Sequence, residues 1–89
     1  MYTLRILDPA ITELSDLDKT IAKRIIKKLK WLAENFENIY PEVLKGELSG
    51  FYKLRVGNYR IIYEVFQKEK VIIIHLIGHR RDIYKQKIN

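Results

Sequence analysis

Residues 51–66 read Phe51-Tyr52-Lys53-Leu54-Arg55-Val56-Gly57-Asn58-Tyr59-Arg60-Ile61-Ile62-Tyr63-Glu64-Val65-Phe66. Two runs rich in aromatic and β-branched residues flank Gly57-Asn58, the pattern of a β-hairpin closed by a two-residue turn. Side chains alternate along a strand, so Tyr52, Leu54 and Val56 share one face with Ile61, Tyr63 and Val65. Lys53, Arg55, Arg60, Ile62 and Glu64 take the other. The apolar rows belong against a helical layer, which leaves Lys53, Arg55 and Arg60 together on an uncovered face.

The turn also sets the register. A two-residue turn pairs Val56 with Tyr59 and therefore Arg55 with Arg60, and a one-residue slip would break the apolar row. Like charges directly opposite on a sheet are unfavourable by roughly 0.2–1 kcal/mol. A sequence shaped for stability alone tends to avoid that pair, whereas an anion between the guanidinium groups reverses the sign. Neutralisation by Glu64, or arginines splayed into water, are the alternatives.

Outward from the hairpin, Tyr2–Leu7 is rich in β-formers and reads as a strand. Asp8-Pro9 has the form of an N-cap followed by proline at the first helical position, and Ile11, Leu14 and Leu17 suit a short helix. Asp18 would cap a longer one. In it Ala22, Ile25, Ile26, Leu29, Leu32, Ala33 and Phe36 recur at three- and four-residue spacing. Lys23, Lys27, Lys28 and Lys30 fall mostly off this stripe and read as a solvated face.

Ile39–Gly50, with Pro41, Gly46 and Gly50, reads as a loop. Val71–Ile77 is almost wholly apolar and β-branched, as in a strand covered on much of both faces, with Gly78 closing it. The tail His79–Asn89 is polar and can add a short helical turn. The expected fold is α+β in the order β-α-α-β-β-β, with two N-terminal helices on one face of a small, antiparallel-rich sheet.

A chain of 89 residues with 47% hydrophobic and 31% charged residues has the length and composition of one globular domain, residues 1–89. No apolar run approaches the roughly 20 residues that cross a bilayer, and the N-terminus lacks the pattern of a secretory signal. No cysteine is present, so thiol catalysis and cysteine-ligated zinc are excluded and a cytoplasmic setting is expected. The net charge of +6 is uneven. Seven Lys/Arg and seven Asp/Glu cancel over residues 1–44, while ten basic face four acidic residues over 45–89. Such a half points to a polyanion or an acidic partner.

Phosphate-binding glycine loops of the GxxxxGK[ST] and GxGxxG kinds are absent, as is a nucleophile elbow around Ser15 or Ser49. His75 and His79 would need at least a third ligand to hold a metal. No metal site and no cofactor are therefore expected. The remaining set of Lys, Arg and Tyr, with His as a further option, suits cleavage of RNA by its own 2′-hydroxyl. That reaction needs a group to take the 2′ proton, cations on the developing phosphorane charge and help for the departing 5′-oxygen. Lys53, Arg55, Arg60, Arg80 and Tyr84 are the candidates. Arginine grips phosphate with a fork that lysine lacks, and tyrosine offers a plane for a splayed base.

Leu44-Lys45-Gly46, the hairpin Phe51–Glu64 and Ile77-Gly78-His79-Arg80-Arg81-Asp82-Ile83-Tyr84 resemble the RelE toxin family of the RelE/ParE superfamily, over nearly the whole chain. The resemblance implies the toxin of a type II toxin–antitoxin pair, a metal-independent endoribonuclease that cuts messenger RNA in the ribosomal A site and leaves a 2′,3′-cyclic phosphate. By position, Lys53 and Arg55 fall on the family's catalytic basic pair and Arg60 on its phosphate-binding arginine. Arg80 falls on the transition-state arginine and Tyr84 on the C-terminal tyrosine. Lys45, His79 and Arg81 are expected to touch substrate. The implied partners are an acidic, RelB-like antitoxin, the ribosome and the messenger. A ParE-like inhibitor of DNA gyrase and a catalytically silent relative are the rival expectations.

Overall fold

The computed structural model describes residues 1–86 and 88. A strand β1 (Thr3–Ile6) leads into helices α1 (Asp8–Asp16) and α2 (Lys19–Asn35), and four strands follow. They are β2 (Glu42–Val43), β3 (Tyr52–Val56), β4 (Tyr59–Phe66) and β5 (Val71–His79), with short 3-10 turns at Phe36–Asn38, Gly46–Leu48 and Ile83–Lys85. The sheet order is β1-β5-β4-β3-β2. β1 runs parallel to β5, and every other pair is antiparallel. The α+β fold with two helices on one face therefore stands, with β5 inside the sheet.

Helix boundaries follow the caps only in part. α1 starts at Asp8, with Leu7 as its N-cap and Pro9 in the first turn, and Asp8 makes no capping hydrogen bond. Its carboxylate still lies where the helix dipole favours negative charge. Asp18 is the N-cap of α2, again without a side-chain bond. On α2 the residues Ile25, Leu29, Leu32 and Ala33 are buried, and Phe36 follows them in the next turn. Ile26 is exposed, because a stripe of four-residue steps faces only one layer.

Two differences from the sequence reading matter for the site. The expected loop Ile39–Gly50 contains a short strand, Glu42–Val43, paired to Lys53 and Tyr52. Two exposed residues without alternation carry no strand signal, and only the neighbouring edge of β3 makes them one. The second difference is at Gly78, which does not end β5 but pairs with Arg60 inside it. The tail folds back over this position: a Cβ on Gly78 would lie 3.0 Å from the Ile83 Cδ1.

The main core lies between helices and sheet, where Ala10, Ile25, Leu29, Leu32 and Phe36 meet Ile61, Tyr63, Ile72, Ile74 and Ile77. Burying each of the larger aliphatic side chains contributes roughly 1.5–3 kcal/mol. The far face, expected to be open, carries a small second cluster in which Ile83 of the tail packs on Ile62 and Leu76. A bulge makes this possible. Ile62 pairs with Leu76 but Tyr63 with Ile74, so His75 is an extra residue and shares the far face with Leu76. Among the described residues no helix is long and apolar enough to cross a membrane.

Candidate active site

The hairpin register is the one the turn demands: Val56 opposes Tyr59 and Arg55 opposes Arg60. Gly57 has φ 57° while Asn58 is not left-handed, as in a type II′ turn with glycine first. Lys53, Arg55 and Arg60 therefore emerge on the far face, near the edge formed by β2.

The two arginines do not converge there. Arg60 turns back along the hairpin, its Nη1 donating to the carbonyls of Gly57 and Tyr59 at 2.9 Å each. Arg55 turns outward to Glu42 on β2, with Nε 3.1 Å from Oε1. The same carboxylate takes the Lys53 ammonium, Nζ to Oε2 at 3.4 Å. Glu42 thus relieves the like-charge crowding, and Glu64 does not. Glu64 is engaged by His75, Nε2 to Oε1 at 3.0 Å, under the Phe51 ring.

Lys53 is half-buried, its side chain 19% exposed. On its other side lies Tyr84, the ring centroid 6.0 Å from Nζ. Tyr84 is held by the 3-10 turn Ile83–Lys85, which is anchored through buried Ile83. Arg80 is exposed, and its backbone N–H donates to the Asn58 carbonyl at 2.8 Å. That bond places it beside the turn at which the Arg60 guanidinium is held.

Lys53, Arg55 and Tyr84 are therefore brought together through Glu42 and the tail, with Arg60 and Arg80 flanking the hairpin turn. Lys45 is exposed in the loop after β2. His79 pairs opposite Tyr59, on the helix side of the sheet, with ring centroids 5.6 Å apart. Its Nδ1 accepts the Arg81 backbone N–H at 3.2 Å. His79 is thus on the face opposite Lys53, and Arg81 is exposed beyond it. Glu42 was missed by sequence reading. Its signal lay in the like-charge pair, which needs a carboxylate, but spacing does not say which one.

One group is strongly perturbed by its surroundings. Burial pushes the Tyr63 phenol well above its ordinary value, and neighbouring Tyr52 and Glu42 add to it. Tyr63 stacks on Tyr52 at 5.5 Å on the helix side of the sheet, so this is a property of the core rather than of the far face.

Residues 4–84 match the family model described as ParE toxin of type II toxin–antitoxin systems, parDE. An Escherichia coli protein classed as RelE-like is 29% identical, across 93% of this chain and 90% of its own. The toxin of the Mycobacterium tuberculosis RelBE2 toxin–antitoxin complex is similar in structure, with TM-score 0.79 and 25% identity, covering 89% of this chain and 98% of that one. The isolated Escherichia coli RelE toxin gives TM-score 0.74 and 26% identity, covering 89% and 84%. With a far-face basic cluster on this fold and a family model spanning nearly all of it, the chain belongs to the ParE toxin family of type II toxin–antitoxin systems, within the RelE/ParE superfamily.

Proposed function

We propose that this toxin is a messenger endoribonuclease that acts on the ribosome and cuts within the A-site codon without a metal ion. The observation that carries the reading is the shared Glu42 carboxylate, held by Lys53 at 3.4 Å and Arg55 at 3.1 Å with Tyr84 beside Lys53. A phosphate oxygen in that position meets an ammonium and a guanidinium fork at once, and a base beside it meets an aromatic ring.

In the reaction the 2′-oxygen bonds to phosphorus and the bond from phosphorus to the 5′-oxygen breaks. The products are a 2′,3′-cyclic phosphate and a 5′-hydroxyl. Lys53 and Tyr84 are the pair that exchanges protons with the attacking and departing oxygens. Arg55, Arg60 and Arg80 meet the charge that develops on the phosphorane oxygens. The bonds from Arg60 to the turn carbonyls use only Nη1, which leaves Nη2 and Nε as donors for a phosphate. Lys45, His79 and Arg81 contact the substrate outside this centre.

The partner in the cell is a cognate antitoxin, as for the similar toxin in the Mycobacterium tuberculosis complex. A surplus of basic residues over 45–89 suits an acidic chain there and RNA on the ribosome. The second reading, inhibition of DNA gyrase by binding, is favoured by the ParE description of the family model. Lys53 set between Glu42 and Tyr84 favours the nuclease.

Primer extension on a defined messenger, with and without ribosomes, separates them. The nuclease predicts cuts in the A-site codon that require ribosomes and vanish in Arg80→Ala, while the melting temperature of that variant is unchanged. Intact messenger together with DNA breaks in expressing cells supports gyrase instead. Intact messenger without toxicity marks a silent relative.

A further inference from the structure

Beyond Arg55 the basic surface continues onto α2. β2 covers only Tyr52 and Lys53 of β3, so the sheet edge is open at Arg55 and Val56. There an open groove of about 490 Å3 runs between α2 and the hairpin, lined by Arg24, Lys27, Lys28 and Trp31 on one side and Arg55 and Val56 on the other. The lining holds four cations and no acid. Among the described residues, Arg24, Lys27 and Lys28 have no carboxylate within ion-pair reach.

Two details show a shaped surface. The Arg24 guanidinium lies against the hairpin turn, where a Cβ on Gly57 would come within 3.3 Å of its Nη2. Trp31 is the sole tryptophan and stays 38% exposed, outside both hydrophobic clusters. Its ring is covered by a cation instead, with the Lys28 Nζ 3.8 Å from the centroid.

We propose that this groove binds a single strand of RNA, the flanking part of the strand cut at the site, with phosphates along Arg24, Lys27 and Arg55 and a base stacked on Trp31. The choice of RNA rests on the nuclease reading. A cationic groove with an aromatic platform is the general form of a single-strand site, because every base has a π-face and every step a phosphate. Arg55 belongs to both features, so a strand leaving the site across the open edge enters the groove directly. An amphipathic helix of a protein partner needs an apolar stripe, and the groove supplies only Trp31 and Val56.

The test uses the whole toxin and a fluorescein-labelled 2′-O-methyl RNA of about ten nucleotides, which lacks the attacking hydroxyl and so stays uncut. Binding is followed by anisotropy and by the fluorescence of Trp31. Wild type should bind with quenching. Trp31→Ala should bind about ten-fold more weakly, as for loss of one stacked base, and Trp31→Phe should recover most of it. Lys27→Ala should flatten the dependence of log affinity on log salt by about 0.7. Binding without quenching and unaffected by these changes overturns the groove. So does quenching by an acidic antitoxin peptide where the RNA gives none, which hands the surface to a protein. Parallel primer extension on ribosomes keeps the two ideas apart. Cut messenger with an unresponsive Trp31 refutes the groove alone, and quenched, variant-sensitive binding with uncut messenger refutes the nuclease alone.

Discussion

Glu42 is the residue on which the far-face electrostatics turn. It is exposed, and ion pairs of that kind contribute little to stability, about 0–1 kcal/mol. Its larger effect is on the cations it occupies. Glu42→Gln should therefore leave the melting curve almost unchanged and tighten binding of an uncleavable RNA, measured by anisotropy. Tyr63 shows the opposite case of a group that belongs to the core. Its phenol ionises in the unfolded chain near the ordinary value of 10.0, and in the folded protein only well above it. The unfolded state thus loses its proton first, and stability is whole below about pH 10 and declines above it, by up to about 1.4 kcal/mol per pH unit. Denaturant melts between pH 9 and 11 should show that decline in wild type and a shallower one in Tyr63→Phe. At this scale the sequence was legible as far as residue type and face went. Lys53, Arg55 and Arg60 do share a face, but where each head group points depends on Glu42 and on two turn carbonyls that pattern does not reveal.

Elements carry the next level. The β3–β4 hairpin was readable in detail, because a two-residue turn and an unbroken apolar row leave a single register. β2 was not readable, since two exposed residues become a strand only through the edge they meet. The tail is the element that couples stability to the site. Ile83 packs over Gly78 and thereby sets Tyr84 beside Lys53. Gly78→Ala forces a methyl to within 3.0 Å of Ile83 and should lift the tail rather than break β5. The expected outcome is a large loss of messenger cutting with destabilisation of only about 1–3 kcal/mol, checked by primer extension and thermal melts on the same preparation. A collapse of the fold at this substitution would show that β5 itself, and not the tail, yields.

For the whole molecule, no polar or charged residue other than tyrosine is buried among the described residues, and the ion pairs are exposed or, as for Lys53–Glu42 and His75–Glu64, half-buried. Stability then rests on the apolar layer between helices and sheet, whereas any hold on a polyanion rests on exposed cations. Raising salt from about 50 to 500 mM should shift the melting temperature little and weaken RNA binding by orders of magnitude, in line with counterion release. By itself, the sequence determined the order of every element but β2, the hairpin register, the face that carries the basic residues and the family. The first three follow from local period, turn chemistry and charge, which are properties of neighbours along the chain. The family follows from the resemblance carried by Leu44–Gly46, Phe51–Glu64 and Ile77–Tyr84. Only the tertiary structure decided that Glu42 clamps Lys53 and Arg55, that Tyr84 returns to Lys53, that His79 faces the helices, and that Arg24 and Trp31 of α2 border the same edge as Arg55. Each of these joins residues far apart in sequence, and their meeting depends on how the layers pack rather than on any spacing within one segment.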